Sequence, residues 1–140
     1  MSFIILLSFS YHYSQTNFMT ANNSTLSLRW FEEVWNNGKE SAIDELMDAK
    51  AIVHGIDAVS KPGPEGFKPF YHSFRKQFPE INVEVENVVT GGGYETSRCI
   101  MQATTIAGKT VNFTGMTFIQ VKDGKITEAW NNFDFLGMYQ

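Results

Sequence analysis

The C-terminal run of the chain is the feature that most restricts how it can fold. Residues 115–134 read GMTFIQVKDGKITEAWNNFD, two alternating apolar runs that meet at Asp123 and Gly124. An Asp-Gly pair between two such runs is among the strongest local signals for a β-hairpin. The sequence therefore predicts two antiparallel strands, 110–121 and 125–134, at the end of the chain.

Asp134 is the most unusual residue of this predicted hairpin. Side chains alternate along a strand, so we expect Asp134 on the same face as Asn132, Trp130, Glu128 and Ile126. A carboxylate on an apolar face that carries a tryptophan is costly to bury as a charge. Asp134 then has either charge partners or a raised pKa and an acid/base role. The alternative is a strand-end aspartate that is solvated or caps a turn.

The type of turn decides which residues of strand 110–121 share a face with Asp134. A two-residue turn at Asp123 and Gly124 predicts that the shared face carries Phe113, Gly115 and Thr117. A type I turn with a bulge at Gly124 predicts Asn112, Thr114 and Met116 instead. The sequence leaves both registers open.

Apolar residues at helical spacing predict three helices before most of the strands. The helices are Ser24–Asn37, Ser41–Met47 and a third that begins near Pro64 and ends before Pro79. Further strands are predicted at 51–55, 81–89 and 94–106. The apolar faces of the first and third helices carry Leu28, Phe31, Val34, Trp35, Phe67, Phe70, Tyr71, Phe74 and Phe78. This order predicts an α+β domain with helices on one face of a curved antiparallel sheet.

Composition excludes several classes of function. The net charge is −4 and no basic run is present, which argues against nucleic acid or an anionic membrane surface as the main partner. The single cysteine, Cys99, excludes an internal disulfide framework, and three scattered histidines have no metal-ligand spacing. Aromatic residues make up 14% of the chain, with 12 Phe, enough to line an apolar cavity as well as a core. We expect no metal and no cofactor.

The first residues of the chain are predicted to lie outside the domain. FIILLSF at residues 3–9 is too short to span a bilayer, and no basic residue precedes it. We interpret residues 1–22 as a disordered leader or a misassigned start, and residues 23–140 as the domain. We expect a cytoplasmic protein, with export as the alternative if residues 1–20 act as a signal peptide.

Several motifs together resemble the SnoaL-like polyketide cyclase family of the NTF2-like superfamily. They cover nearly everything after about Leu26. The matching segments are RWFEEVWNNGKESAIDELM, IVHG, GPEGFKPFYHSFRKQFPEINVEVENVV and GMTFIQVKDGKITEAWNNFDFLGMYQ. Their combination is specific, although none of them is decisive alone.

This resemblance implies a cone formed by a curved sheet and three helices, with an apolar pocket at its open end. In the family's cyclases, an aspartate at the end of the last strand is the acid/base for a cofactor-independent aldol closure of a polyketide ester. Asp134 stands at that position, and the implied ligand is a small apolar carbonyl compound. The resemblance also implies a homodimer through the outer sheet face. That face would carry Thr127, Ala129, Asn131 and Phe133 if Asp134 points inward.

The resemblance suggests further site residues. His54 could relay a proton to Asp134 or bond a substrate oxygen; alternatively it is a strand-end histidine bonded to backbone. Arg98 could pair with Asp134, Glu128 or a substrate anion, and a structural salt bridge is the favoured role. The other candidate pocket residues are Trp35, Phe67, Tyr71, Phe74, Gln102, Met116 and Trp130. Most of the phenylalanine stripe is better explained as core.

One segment departs from the family pattern. Family members often carry Gly-Thr-His-x-Gly before the penultimate strand, whereas this chain reads QATTIAGKTVNF at residues 102–113. That histidine is missing and the segment is shorter, so the shape of the substrate and one polar contact would differ. Two alternatives therefore stand beside an Asp134 enzyme. One is a non-catalytic cone that binds a hydrophobic ligand, and the other is an isomerase-like or epoxide-hydrolase-like cone.

Overall fold

The computed structural model describes residues 25–135, in which five strands form one sheet behind a layer of helices. The strand order is β1-β5-β4-β3-β2, and β1 runs parallel to β5 while the other neighbours are antiparallel. The helices are α1 (Leu26–Arg29), a π-helix (Trp30–Asn36), α2 (Ser41–Leu46) and α3 (Gly63–Gln77). The strands are β1 (Met47–His54), β2 (Glu80–Gly91), β3 (Tyr94–Thr104), β4 (Thr110–Lys122) and β5 (Lys125–Phe133).

The predicted α+β class is confirmed, with helices on one face of a mostly antiparallel sheet. We call the sheet face that packs on the helices the inner face and the opposite one the outer face. The parallel pairing of β1 with β5 was not predicted. The predicted leader, residues 1–22, lies outside the described residues. Within residues 25–135, no helix has the length and apolar character needed to cross a membrane.

The first predicted helix is not a uniform α-helix. A short α1 continues as the π-helix Trp30–Asn36, in which the amide of Asn37 donates to the carbonyl of Glu32, five residues earlier. The wider turn changes which side chains face the sheet. Trp30 is buried as well as Phe31, Val34 and Trp35. Trp30 is therefore an inward residue that the α-helical period did not predict.

Helix α3 follows its prediction closely. It has Pro64 in its first turn, where a missing N–H is tolerated, and it ends just before Pro79. Phe67, Tyr71 and Phe74 recur at helical spacing and are buried.

The β4–β5 hairpin has the two-residue turn, but a bulge then reverses the faces of β5. Asp123 and Gly124 both have positive φ (52° and 74°), as a type I′ turn requires, and Lys122 pairs with Lys125. Val121 pairs with Ile126, whereas Gln120 pairs with Glu128, so Thr127 is an extra residue. The hydroxyl of Thr127 donates to the Gln120 side-chain oxygen at 3.1 Å and approaches its carbonyl oxygen at 3.3 Å.

The bulge overturns the predicted alternation along β5. Ile126 faces inward, but Glu128, Trp130 and Asn132 face outward and Asp134 follows them. The inner face instead carries Ala129, Asn131 and Phe133. The expectation that Asp134 and Trp130 share a face with Ile126 is therefore wrong. The expectation that Ala129, Asn131 and Phe133 form the outer surface fails for the same reason, because one additional residue shifts every later side chain by one position.

The sheet's central strands fill the core with small and sulphur-bearing side chains. Ser97, Cys99 and Met101 of β3 face inward beside Thr117 and Ile119 of β4, and all five are buried. The hydroxyls of Ser97 and Thr117 lie 2.7 Å apart and satisfy each other. Burial raises the pKa of the Cys99 thiol from 9.0 to about 11, against a smaller lowering effect of the Ser97 hydrogen bond. Cys99 is thus an inert core residue.

Candidate functional site

An apolar cavity of about 60 Å³ lies between the helices and the inner face of the sheet. Its helical wall is formed by aromatic rings of the π-helix and α3, namely Trp30, Phe31, Trp35, Phe67, Phe70 and Phe74. The rings meet edge to face: Trp35 lies 5.6 Å from Phe74, and Trp30 lies 5.2 Å from Phe67, between centroids. Because such edge contacts fix the ring planes, the wall has a defined shape.

The sheet forms the opposite wall of the cavity. It contributes Met101, Ile119, Ile126, Ala129 and Phe133. Three of the lining rings are only partly buried: Phe70 of α3, Phe133 at the end of β5 and Phe135 just after it. No titratable side chain of residues 25–135 lines this cavity. The cavity wall is therefore uncharged and mainly apolar.

Three of the lining residues carry polar side chains. Thr117 is paired with Ser97, and the amide nitrogen of Asn131 donates to the carbonyl of His54 at 2.9 Å. Ser27 is 2% exposed, and its hydroxyl oxygen has no hydrogen-bond partner among residues 25–135. Ser27 thus supplies the uncommitted buried hydroxyl of the cavity wall.

Four predicted pocket residues lie on the helical layer. Trp35, Phe67 and Phe74 line the cavity, whereas Tyr71 is absent from its lining. Tyr71 is buried, and its hydroxyl donates to the carbonyl of Val34 at 3.2 Å. Burial raises the pKa of the Tyr71 phenol, and the positive charge of Arg75 partly offsets this rise. Tyr71 is engaged as a structural hydrogen-bond donor.

Asp134, the predicted acid/base, lies outside the cavity lining. It is exposed in a groove of the outer face, together with Arg98, Met116 and Asn132. Its backbone amide donates to the carbonyl of Thr114 at 3.0 Å, which continues the hairpin ladder. Phe133 and Phe135, its chain neighbours, both line the cavity. Asp134 therefore stands at the rim, with its side chain on the opposite side of the strand from the cavity.

His54 is also on the outer face. Its ring stacks on Trp130, with centroids 5.4 Å apart and planes at 15°, and its Nε2 lies 2.8 Å from Glu128 Oε1. Trp130 precedes Asp134 by four residues, about 13 Å of extended chain. The structure thus brings His54 to Glu128 and Trp130 rather than to the end of β5, and the predicted relay to Asp134 has no support in this geometry.

The remaining predicted site residues share the outer face. Arg98 and Gln102 are exposed and alternate with the inward residues Cys99 and Met101. Arg98 Nη1 lies 2.9 Å from Glu86 Oε2, so it makes a structural salt bridge, with a carboxylate that the sequence did not single out. Met116 is exposed in the groove beside Arg98. These side chains do not line the apolar cavity.

Two of the cavity residues have weak sequence signals. Ser27 precedes the predicted aromatic face and Trp30 lies off its α-helical period, so neither was singled out. Asn131 became an inner-face residue only through the bulge at Thr127.

Metal binding has no evident donor set in this region. Within residues 25–135, no three His, Cys, Asp or Glu side chains are grouped in a way that could hold a metal ion.

The sheet and helices form an α+β cone with an apolar interior cavity. The chain belongs to the SnoaL-like polyketide cyclase family, whose profile matches residues 25–140. No curated protein is significantly similar to it.

Solved structures agree with this membership. A candidate polyketide cyclase from Bacillus cereus ATCC 10987 is 31% identical, with a TM-score of 0.74; the match covers 82% of this chain and 76% of that one. A candidate SnoaL-like polyketide cyclase from Jannaschia sp. CCS1 is 25% identical, with a TM-score of 0.69 and coverages of 81% and 86%. An LEH-like epoxide hydrolase from M. tuberculosis is 13% identical, with a TM-score of 0.68 and coverages of 81% and 84%, and shares the fold alone.

Proposed function

We propose that the protein binds a small apolar molecule in the cavity between its helices and the inner face of the sheet. The observation that carries this proposal is the lining of the cavity. Its walls are aromatic and aliphatic, with three uncharged polar side chains, and no titratable side chain of residues 25–135 lines it. Ligand sites in proteins are commonly apolar cavities with a few polar groups that orient the ligand.

The volume restricts the ligand. A cavity that accommodates benzene measures about 150 Å³, and drug-sized ligands occupy pockets of roughly 300 Å³ or more. At about 60 Å³, the present cavity is too small for a polycyclic polyketide. Phe70, Phe133 and Phe135 are only partly buried, so they are the rings that can move outward for a one-ring ligand.

The three tryptophans provide an internal control for testing this proposal. Trp30 and Trp35 line the cavity, whereas Trp130 lies on the outer face and is 37% exposed. In an NMR titration with methylenecyclopentane, we expect the indole N–H signals of Trp30 and Trp35 to shift and that of Trp130 to stay in place. A shift of Trp130 alone, or no shift at any tryptophan, would show that the cavity is not the binding site.

The Asp134→Asn variant separates binding from any role of the carboxyl group. Because Asp134 is not part of the cavity lining, its affinity for methylenecyclopentane should stay within about twofold of the wild type. A large loss of affinity would mean that the carboxylate contacts the ligand and would contradict the proposed placement.

Family membership favours a second candidate function, a cofactor-independent enzyme in which Asp134 is the acid/base. A carboxylate can remove a proton next to a carbonyl and return it to the developing alkoxide, which is the step that aldol chemistry requires. In this arrangement the substrate would reach Asp134 at the rim, beside Phe133 and Phe135.

Proton abstraction can be assayed without the natural substrate. In D2O, we expect wild-type protein to accelerate exchange of the α-hydrogens of cyclopentanone by roughly 100-fold or more over the Asp134→Asn variant, as a positioned general base does. Equal exchange rates for the two proteins would remove Asp134 as a base and leave ligand binding as the function.

We further propose that two copies associate through the outer face of the sheet. A row of rings crosses four strands there: Tyr94 stacks on Phe118 at 5.1 Å, Phe118 meets Trp130 at 5.7 Å, and Trp130 stacks on His54. Phe118, Met116 and Ile52 are 43%, 51% and 48% exposed, which leaves an apolar surface on the same face. Exposed apolar surface of this kind often marks an interface.

Sedimentation velocity tests the association. Wild-type protein should sediment as a dimer, and Phe118→Lys should shift it to a monomer. Ile106→Lys is the matched control, since Ile106 is 79% exposed but lies in the β3–β4 loop. A wild-type monomer, or a dimer that survives Phe118→Lys, would exclude this surface as the interface.

A further inference from the structure

The hydroxyl of Ser27 is a buried polar group that the fold leaves unpaired. Among residues 25–135, it is the one buried side-chain nitrogen or oxygen atom without a hydrogen-bond partner. Burying a hydroxyl without a partner is unfavourable, and native proteins usually avoid it. An exception that lines a cavity indicates a partner outside the protein chain.

The backbone around Ser27 is held firmly. The carboxylate of Glu95 on β3 accepts hydrogen bonds from the amides of Leu26 at 3.0 Å and Ser27 at 2.7 Å. The Thr25 side chain accepts from the amide of Leu28 at 3.2 Å. These hydrogen bonds hold the start of α1 against β3. The Ser27 side chain therefore has a defined position at the cavity wall.

Two other polar side chains of the cavity wall already have a hydrogen-bond partner. Thr117 is paired with Ser97, and Asn131 donates to the His54 carbonyl. Ser27 can both donate and accept, and the remaining lining residues have aromatic, aliphatic or thioether side chains. A ligand that is complementary to this wall has one hydrogen-bonding oxygen near Ser27 and an apolar part that packs against the aromatic rings.

We propose that the Ser27 hydroxyl is the polar anchor of the cavity and selects small apolar molecules that carry one carbonyl oxygen, to which it donates a hydrogen bond. This inference rests on the proposed function, because it needs the cavity to bind a ligand. It adds the residue that orients the ligand and the chemical group that is recognised. It assigns no role to Asp134.

A matched pair of probes tests the anchor. Cyclopentanone and methylenecyclopentane have nearly the same shape, but only the ketone has an oxygen that can accept a hydrogen bond. We expect wild-type protein to bind the ketone about tenfold more tightly than Ser27→Ala does, because the variant lacks one hydrogen bond to the ligand. The hydrocarbon should bind both proteins with equal affinity.

Ser73→Ala is the matched control variant. It also removes one serine hydroxyl, but Ser73 is exposed on α3 and lies outside the cavity lining. We expect it to leave the preference for the ketone intact. Affinities are measured from the Trp30 and Trp35 indole signals, which report directly on the cavity.

The outcomes separate the two proposals. If the hydrocarbon binds but Ser27→Ala leaves the affinity for the ketone unchanged, the anchor is wrong and cavity binding stands; a buried water on Ser27 would give this result. An equal loss of affinity for the ketone in Ser73→Ala would also overturn the anchor. If neither probe moves the Trp30 and Trp35 signals, both the proposed function and the anchor are wrong.

Discussion

The ring of Phe133 lies directly over Gly115, its partner across the β4–β5 ladder, on the inner face of the sheet. A Cβ atom at position 115 would overlap Cδ1 and Cε1 of that ring. The absence of a side chain at Gly115 therefore lets Phe133 form part of the cavity wall.

Gly115→Ala should displace Phe133 and reshape the cavity. We expect the free energy of unfolding to fall by roughly 1–3 kcal/mol, the usual cost of overpacking, and methylenecyclopentane binding to weaken. Chemical denaturation and the indole NMR titration measure the two effects. Gly91→Ala is the matched control, because a Cβ there meets nothing within 4 Å. Equal stability of the two variants would contradict the proposed contact.

The side-chain amide of Asn36 attaches the π-helix to the edge of the sheet. Its nitrogen donates to the Val83 carbonyl at 2.9 Å, and its oxygen accepts from the Val83 amide at 2.6 Å. Asn36→Ala leaves two backbone groups of the edge strand without this partner, so we expect a loss of about 2 kcal/mol in unfolding free energy. Asn37→Ala, at the exposed neighbouring position, should change stability by less than about 0.5 kcal/mol. Urea denaturation of both variants decides the point.

Comparison of Ser27 with Ser97 measures how much an unpaired buried hydroxyl destabilises the ligand-free protein. Both are buried, but only Ser97 has a hydroxyl partner, Thr117. Ser27→Ala should raise the unfolding free energy by about 1 kcal/mol, whereas Ser97→Ala should lower it by a similar amount. Thermal or urea denaturation measures both. A destabilised Ser27→Ala protein would indicate that the hydroxyl is already bonded, for example to water.

Cys99 should make the fold sensitive to alkaline pH. Its thiol pKa is raised from 9.0 to about 11 by burial, so the folded state retains the proton that the unfolded chain loses. The stabilising contribution is fully present below pH 9 and is lost as the pH rises through 11. It amounts to roughly 2–3 kcal/mol, which follows from a shift of about two pKa units.

The Cys99→Ala variant isolates this contribution from the other groups that titrate at high pH. Its unfolding free energy should decline less steeply between pH 9 and pH 11 than that of the wild type. Identical slopes in urea denaturation would show that the thiol contributes nothing.

The fold could be predicted from the sequence because its signals are local and mutually consistent. The Asp123-Gly124 turn, the Phe67, Tyr71 and Phe74 stripe and the strand after Pro79 each specify one element, and the structure contains all three. Apolar spacing also placed Trp35, Phe67 and Phe74 on the face that lines the cavity.

The site could not be predicted to the same extent because it depends on two irregularities without a clear sequence signature. The π-helix brings Trp30 inward, and the Thr127 bulge turns Phe133 inward and Asp134 outward. A helical period of 3.6 residues and a strand period of 2 residues allow for neither irregularity. The predicted faces at the end of β5 were therefore reversed by the one additional residue of the bulge.

The Thr127 bulge also has an evolutionary consequence. Phe133 and Asp134 are adjacent, so loss of a single codon between the bulge and the end of β5, such as that of Asn132, would advance Asp134 by one position. Asp134 would then lie opposite Gly115, where no side chain opposes it, and would point into the cone. A chain of this architecture can therefore exchange an aromatic wall for an acidic one through one deletion, with its sheet order unchanged.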